Sequence, residues 1–97
     1  MLQDLTPASL EEHLGTSFRV HVGQERSLDL VLYDIARHEK HPGPRNEPFS
    51  AFFRGPREII LPQAIYPMEH DRLGTLEIFL VPIGPDSQGM GYEAVFN

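Results

Sequence analysis

His38 and His41 lie three residues apart around Glu39 and Lys40, the densest group of metal-capable side chains in the chain. Two imidazoles and a carboxylate suit Zn2+ or Ni2+. The pair runs directly into Pro42-Gly43-Pro44, so no continuous helix can present both rings on one face. A metal site also needs three or four converging ligands, and the reading here is a solvated loop. His70 sits between Glu69 and Asp71, a combination that could raise an imidazole pKa for general acid work. Consecutive strand residues point to opposite faces, however, so His70 cannot share a face with both carboxylates. A strand end entering a polar turn is the simpler reading. His38, His41 and His70 therefore stand as metal candidates only. Ser50 and Ser87 are the candidate nucleophiles, and neither sits in a Gly-x-Ser-x-Gly elbow. Gly84-Pro85-Asp86-Ser87-Gln88-Gly89-Met90-Gly91 has the glycines of a phosphate loop but lacks its lysine and strand-to-helix context. No catalytic residue and no cofactor is expected from these motifs.

Composition narrows the classes further. Ninety-seven residues make a single domain with one small core. Hydrophobic residues at 40% and charged residues at 23% are those of a folded chain. The absence of cysteine excludes disulfides, thiolate nucleophiles and Cys-based zinc sites. Fourteen acidic residues against eight basic ones give a net charge of −6. Phosphate backbones and anionic membranes need the opposite balance, so neither nucleic acid nor membrane is an expected partner. No window of about 18 apolar residues exists to span a bilayer. The start, Met1-Leu2-Gln3-Asp4-Leu5, has neither basic n-region nor apolar h-region, and a cytoplasmic location is expected.

The elements that must position these residues are mostly strands. Thr6 as N-cap, Pro7 at the first helical position and Gly15 as C′ residue bracket a helix over 7–14. Leu5 and Leu10 have the spacing of a hydrophobic staple, and Leu10 and Leu14 share a face. Beyond Gly15 the apolar period falls to two, giving strands over 17–22, 28–37, 49–54, 64–70, 74–82 and 91–96. The second strand is apolar on both faces, with Val31, Tyr33 and Ile35 opposite Leu28, Leu30 and Leu32, which suggests a bulge or cover on both sides. Three prolines and a glycine make 38–48 a long loop. Pro67 marks the fourth strand as an edge strand or a bulged one. The last strand runs to the chain end, so neighbours must hold it against fraying. The fold expected is mainly β (α+β): a six-stranded, mostly antiparallel sandwich or small open barrel with one short N-terminal helix.

Several stretches carry a family resemblance: Pro48-Phe49-Ser50, Phe53-Arg54-Gly55-Pro56, Leu61-Pro62-Gln63, Tyr66 with Glu69-His70, Leu73 to Glu77, Phe79 to Pro85, and Tyr92 to Asn97, with Leu14 to Phe18 near the start. The chain resembles a family of small bacterial proteins, about 100 residues long, known only as a domain of unknown function. It departs from the family pattern at Ala64 and Pro67, where relatives tend to carry a glycine after the glutamine. The resemblance brings no catalytic residues. It implies company with phage-tail-collar-like proteins.

The function expected is a non-enzymatic interaction or assembly domain that binds another protein, or itself, through a sheet face or edge. Adjacent Phe52 and Phe53 must face opposite ways, and Phe79 lies opposite Leu76, Ile78 and Leu80. Phe52, Phe79, Tyr33 and Ile35 are thus the candidate interaction surface. The competing expectation is a small ligand-binding barrel or enzyme, with a mouth between loops 38–48 and 83–91 and the histidines nearby.

Overall fold

The computed structural model describes residues 5–38 and 48–96. One helix, α1 (Pro7–Glu11), precedes six strands: β1 (Ser17–His21), β2 (Ser27–Arg37), β3 (Phe49–Gly55), β4 (Ala64–His70), β5 (Gly74–Asp86) and β6 (Gly89–Phe96). All pairings are antiparallel, and the order β1-β2-β3-β6-β5-β4 closes on itself as a barrel. Of the two architectures expected, sandwich and small barrel, the chain forms the small barrel, and its strands close it. A single layer of strands encloses its own core, as alternation along every strand requires. No helix among the described residues is long and apolar enough to cross a membrane.

Inward residues fill the barrel. Phe18, Val20, Leu30, Leu32, Phe53, Met68, Leu80 and Tyr92 are all essentially inaccessible to solvent. Phe18 and Phe53 meet edge-on at 5.2 Å, a favoured aromatic geometry. Leu10 of α1 joins this core, and so does Leu61 from the connector between β3 and β4. The connector is tied down by Tyr92, whose hydroxyl accepts from the Leu61 N–H at 2.9 Å and donates to the Ile59 carbonyl at 3.2 Å.

The helix is shorter than the expected 7–14. It starts as its sequence dictates, with Thr6 and Ser9 exchanging side-chain and backbone hydrogen bonds at 3.0 Å in a capping box. Beyond Glu11 the bonds tighten to three-residue spacing, His13 N–H to Leu10 O and Leu14 N–H to Glu11 O. The tighter winding turns Leu14 off the face of Leu10, and Leu14 is left exposed.

Irregularities in the strands explain the residues that looked out of place. The β2–β3 register shifts between Leu32 and Asp34, so a bulge at Tyr33 turns Ile35 toward the core, while Val31 stays exposed on the outer face. Pro67 falls just beyond the last β1–β4 pair, Val20↔Met68, so it costs no ladder bond to β1. β5 continues past Pro82 to Asp86, and the expected 83–91 loop shrinks to a turn at Ser87-Gln88. A second bulge, between Pro82 and Gly84, brings Pro82 and Pro85 into step. Both ring nitrogens can then face the side that has no partner strand, since β4 pairs with β5 only as far as Leu80.

Candidate functional site

The sequence candidates for chemistry are placed in structural roles. His70 is 8% exposed and has both ring nitrogens engaged. Nδ1 accepts from the backbone N–H groups of Arg72 at 3.0 Å and Leu73 at 3.3 Å, which fixes the tautomer with the proton on Nε2. Nε2 lies 2.9 Å from the Thr16 hydroxyl, which in turn donates to the His13 carbonyl at 2.6 Å. Burial, reinforced by the neighbouring His13 and Arg72, holds the His70 pKa below its ordinary value, and Asp71 only partly opposes this. With Nδ1 accepting two backbone N–H groups and Nε2 at Thr16, the ring presents no free lone pair in this arrangement. His70 instead closes the β4–β5 turn and ties it to the residue that leads into β1.

His38 and Ser50 are brought together, with Nε2 and Oγ 2.9 Å apart. The pair has the contact of a nucleophile and its base, yet Ser50 is wholly inaccessible, so no substrate carbonyl can reach it. His41 lies outside the described residues. Among the described residues no group of three or more His, Asp or Glu side chains could hold a metal ion. Residues 39–47 of the mouth expected between loops 38–48 and 83–91 lie outside the described residues, and only the ends of that loop are placed. The β3–β6 register pairs Phe49 with Phe96 at one end and Gly55 with Met90 at the other. The β2–β3 loop therefore leaves from one end of the barrel, and the β5–β6 turn sits at the opposite end.

The four surface candidates divide. Ile35 is partly buried and packs against the core, because the bulge at Tyr33 moves it inward. Tyr33 and Phe52 meet on the outside with ring centroids 6.3 Å apart, and Arg54 covers the Tyr33 ring at 3.8 Å. Arg54 also pairs with Asp86 at 2.9 Å. That carboxylate accepts from the N–H groups of Gln88 and Gly89, so the cluster holds the β5–β6 turn. The Gln88 hydrogen bond, and then Arg54, hold the Asp86 pKa below its ordinary value.

Phe79 is different. It is 46% exposed, opposite Ile65 at 64% in the neighbouring strand, and near Val95 at 52%. All three lie on the outer face, since Ile78, Leu80 and Ala94 take the inner one. The sheet is incomplete beneath them. β5 and β6 pair only from Val81↔Glu93 to Asp86↔Gly89. Above that point β5 is bonded to β4 alone and β6 to β3 alone. Along this stretch the outer surface carries a groove of about 350 Å3 lined by Ile65, Glu77, Ile78, Phe79, Val95 and Phe96. Ladder groups on both walls lack a strand partner across this seam among the described residues, and the side chains around it are apolar. Phe79 was legible from alternation. Ile65 and Val95 were not singled out, because only the register shows them as its neighbours.

No curated protein and no solved structure matches the chain. A family model described as a domain of unknown function matches residues 5–96, nearly the whole length. The chain thus belongs to the domain of unknown function family DUF6916.

Proposed function

We propose that this barrel is a non-enzymatic protein-interaction domain that docks through the outer face of β4, β5 and β6. The observation that carries the reading is the row Ile65, Phe79 and Val95, exposed side by side along an incomplete sheet seam. Contiguous apolar surface of this kind marks a contact site more often than scattered exposed residues do. Covering an apolar side chain of this size contributes about 1.5–3 kcal/mol when complete, so three half-covered ones supply a useful fraction of a binding energy. Among the described histidines, both ring nitrogens of His70 and the Nε2 of His38 already have protein partners. The setting we infer is a cytoplasmic assembly or accessory role in bacteria, in the company of tail-collar-like proteins that the family resemblance suggests.

The test is a comparison of variants in crosslinked capture from the native host. Phe79→Glu places a charge on the proposed face, and Leu14→Glu places one on an exposed leucine elsewhere. Species held by the wild type and by Leu14→Glu should be lost from Phe79→Glu. Equal capture by all three chains would sink the reading.

A further inference from the structure

The β5–β6 seam has a chemistry that selects among occupants, and the inference drawn from it rests on the docking reading above. Two features define it. The first is the pair of open ladder edges. β5 from Gly74 to Leu80 has β4 on one side only, and β6 beyond Glu93 has β3 on one side only. Unpaired backbone N–H and C=O groups along a sheet edge are satisfied best by another extended strand, which supplies donors and acceptors at matching spacing. A helix or a loop does not.

The second feature is charge. Alternation puts Glu77, Phe79 and Val81 on the outer face of β5, and Glu93 and Val95 on the outer face of β6. Glu77 lines the open stretch, and Glu93 sits where the two strands rejoin, opposite Val81. Neither carboxylate has an ion-pair partner among the described residues, and no basic side chain lines the groove. The floor, in contrast, is apolar, formed by Ile78 with Ala94 and Phe96.

A second copy of the chain fits poorly. In a two-fold pairing of β5 edges centred on the open stretch, Glu77 would meet its own equivalent. Like charges directly opposed across a ladder are destabilising, and each copy also carries a net charge of −6. A strand with the opposite pattern fits both walls. Its inward residues would be small and apolar, lying over Ile78 and Ala94. Its outward residues would be Lys or Arg, whose charges meet Glu77 and Glu93 while their aliphatic stems cover Phe79.

We propose that the seam between β5 and β6 receives an extended segment of another protein, alternating apolar and basic residues, added as a strand along the open edge.

Synthetic peptides test this directly against the full chain. One alternates valine and lysine; the second alternates valine and glutamate; the third is the valine–lysine peptide with alternate backbone nitrogens methylated. Binding is followed by amide chemical-shift mapping and by slowing of amide exchange. The valine–lysine peptide should shift and protect amides of Glu77 to Leu80 and Ala94 to Phe96. The valine–glutamate and methylated peptides should bind at least about tenfold more weakly, the loss of roughly one strong charge or ladder contact. Glu77→Lys lies on the surface and should keep the fold, verified by its circular dichroism, while its preference moves toward the glutamate peptide. Equal binding of the lysine and glutamate peptides would overturn the proposal, as would shifts confined to another face. Indifference to methylation would overturn it, and so would concentration-dependent dimerisation through the seam. Failure of every peptide, with the Phe79→Glu capture contrast intact, would remove the strand inference and leave the docking face standing. Failure of both would remove both.

Discussion

At the scale of single residues, His70 shows how a chemically suggestive side chain becomes a structural one. Its Nδ1 closes a turn by accepting two N–H groups, and its Nε2 reaches Thr16. Its ring also rests against Phe18 at 4.5 Å and His13 at 4.6 Å. Protonation would put a hydrogen on the nitrogen that accepts those turn bonds, and it would place charge in a site that burial disfavours. The folded-state pKa is accordingly lowered, first by desolvation and then by His13. The unfolded chain therefore binds this proton more readily than the folded one, and folding stability rises with pH. The contribution is complete above the ordinary value of about 6.5 and is lost as pH falls below it toward the depressed value. Urea titrations across that range should show stability falling on acidification, with the fall reduced in His70→Ala. That variant should itself be destabilised by about 2 kcal/mol at neutral pH, because the turn amides lose their acceptor. A wild-type profile that is flat below 6.5, or one unchanged by the substitution, would contradict this account. The sequence placed His70 at a strand end entering a polar turn, which is where it lies. Its partner Thr16 is 54 positions away, a separation no local pattern reveals.

At the scale of elements, strand existence was legible, whereas of the irregularities only a bulge in β2 was, as one of two alternatives. Period-two alternation predicts six strands because each has one face toward the core. The bulge at Tyr33 arises from pairing with β3 across the long 38–48 segment, and that between Pro82 and Gly84 from pairing within a hairpin, so the pattern showed neither position. The same long-range packing decides which glycines are replaceable. A Cβ at Gly55 would come within 2.5 Å of Leu30 Cδ2, the tip of a side chain that can change rotamer. A Cβ at Gly89 would come within 2.3 Å of the Gly55 carbonyl oxygen, fixed backbone, and Gly89 also holds φ at +144°. Gly89 opens β6 beside the turn that Asp86 and Arg54 brace, so the backbone cannot retreat without breaking that cluster. Gly89→Ala should therefore cost at least about 2 kcal/mol, and Gly55→Ala distinctly less. Denaturant midpoints with unchanged slopes would measure both. The reverse order would mean that the β5–β6 turn yields more easily than the Leu30 side chain.

At the scale of the whole molecule, the barrel is unevenly closed. β3 and β6 share seven register pairs, whereas β1 and β4 share two, Arg19↔Glu69 and Val20↔Met68. Neither the sequence nor its alternation could show closure, because joining the first strand to the fourth depends on residues about 50 positions apart and on the sum of all the strand twists. Side chains reinforce the short ladder. Glu69 lies 3.3 Å from His21 and 3.8 Å from Arg19, and the His70–Thr16 bond crosses the same closure at its end. Exposed ion pairs of that kind contribute little, so the buried latch and the burial of Val20 and Met68 carry most of the stability there. Opening this closure breaks fewer backbone bonds than separating any other pair of neighbouring strands would, and proteins open first where the fewest bonds must break. Native-state amide exchange, corrected for intrinsic rates, should therefore show amides bonded across β1–β4 opening below the global free energy, while β3 and β6 amides exchange only on complete unfolding. The latch ties this behaviour to pH. Lowering pH below about 6.5 favours the protonated form of His70, so the β1–β4 group should lose protection before the β3–β6 group does. Exchange of all strands as one unit at both pH values would show that two ladder pairs suffice to make the closure as strong as the rest of the wall.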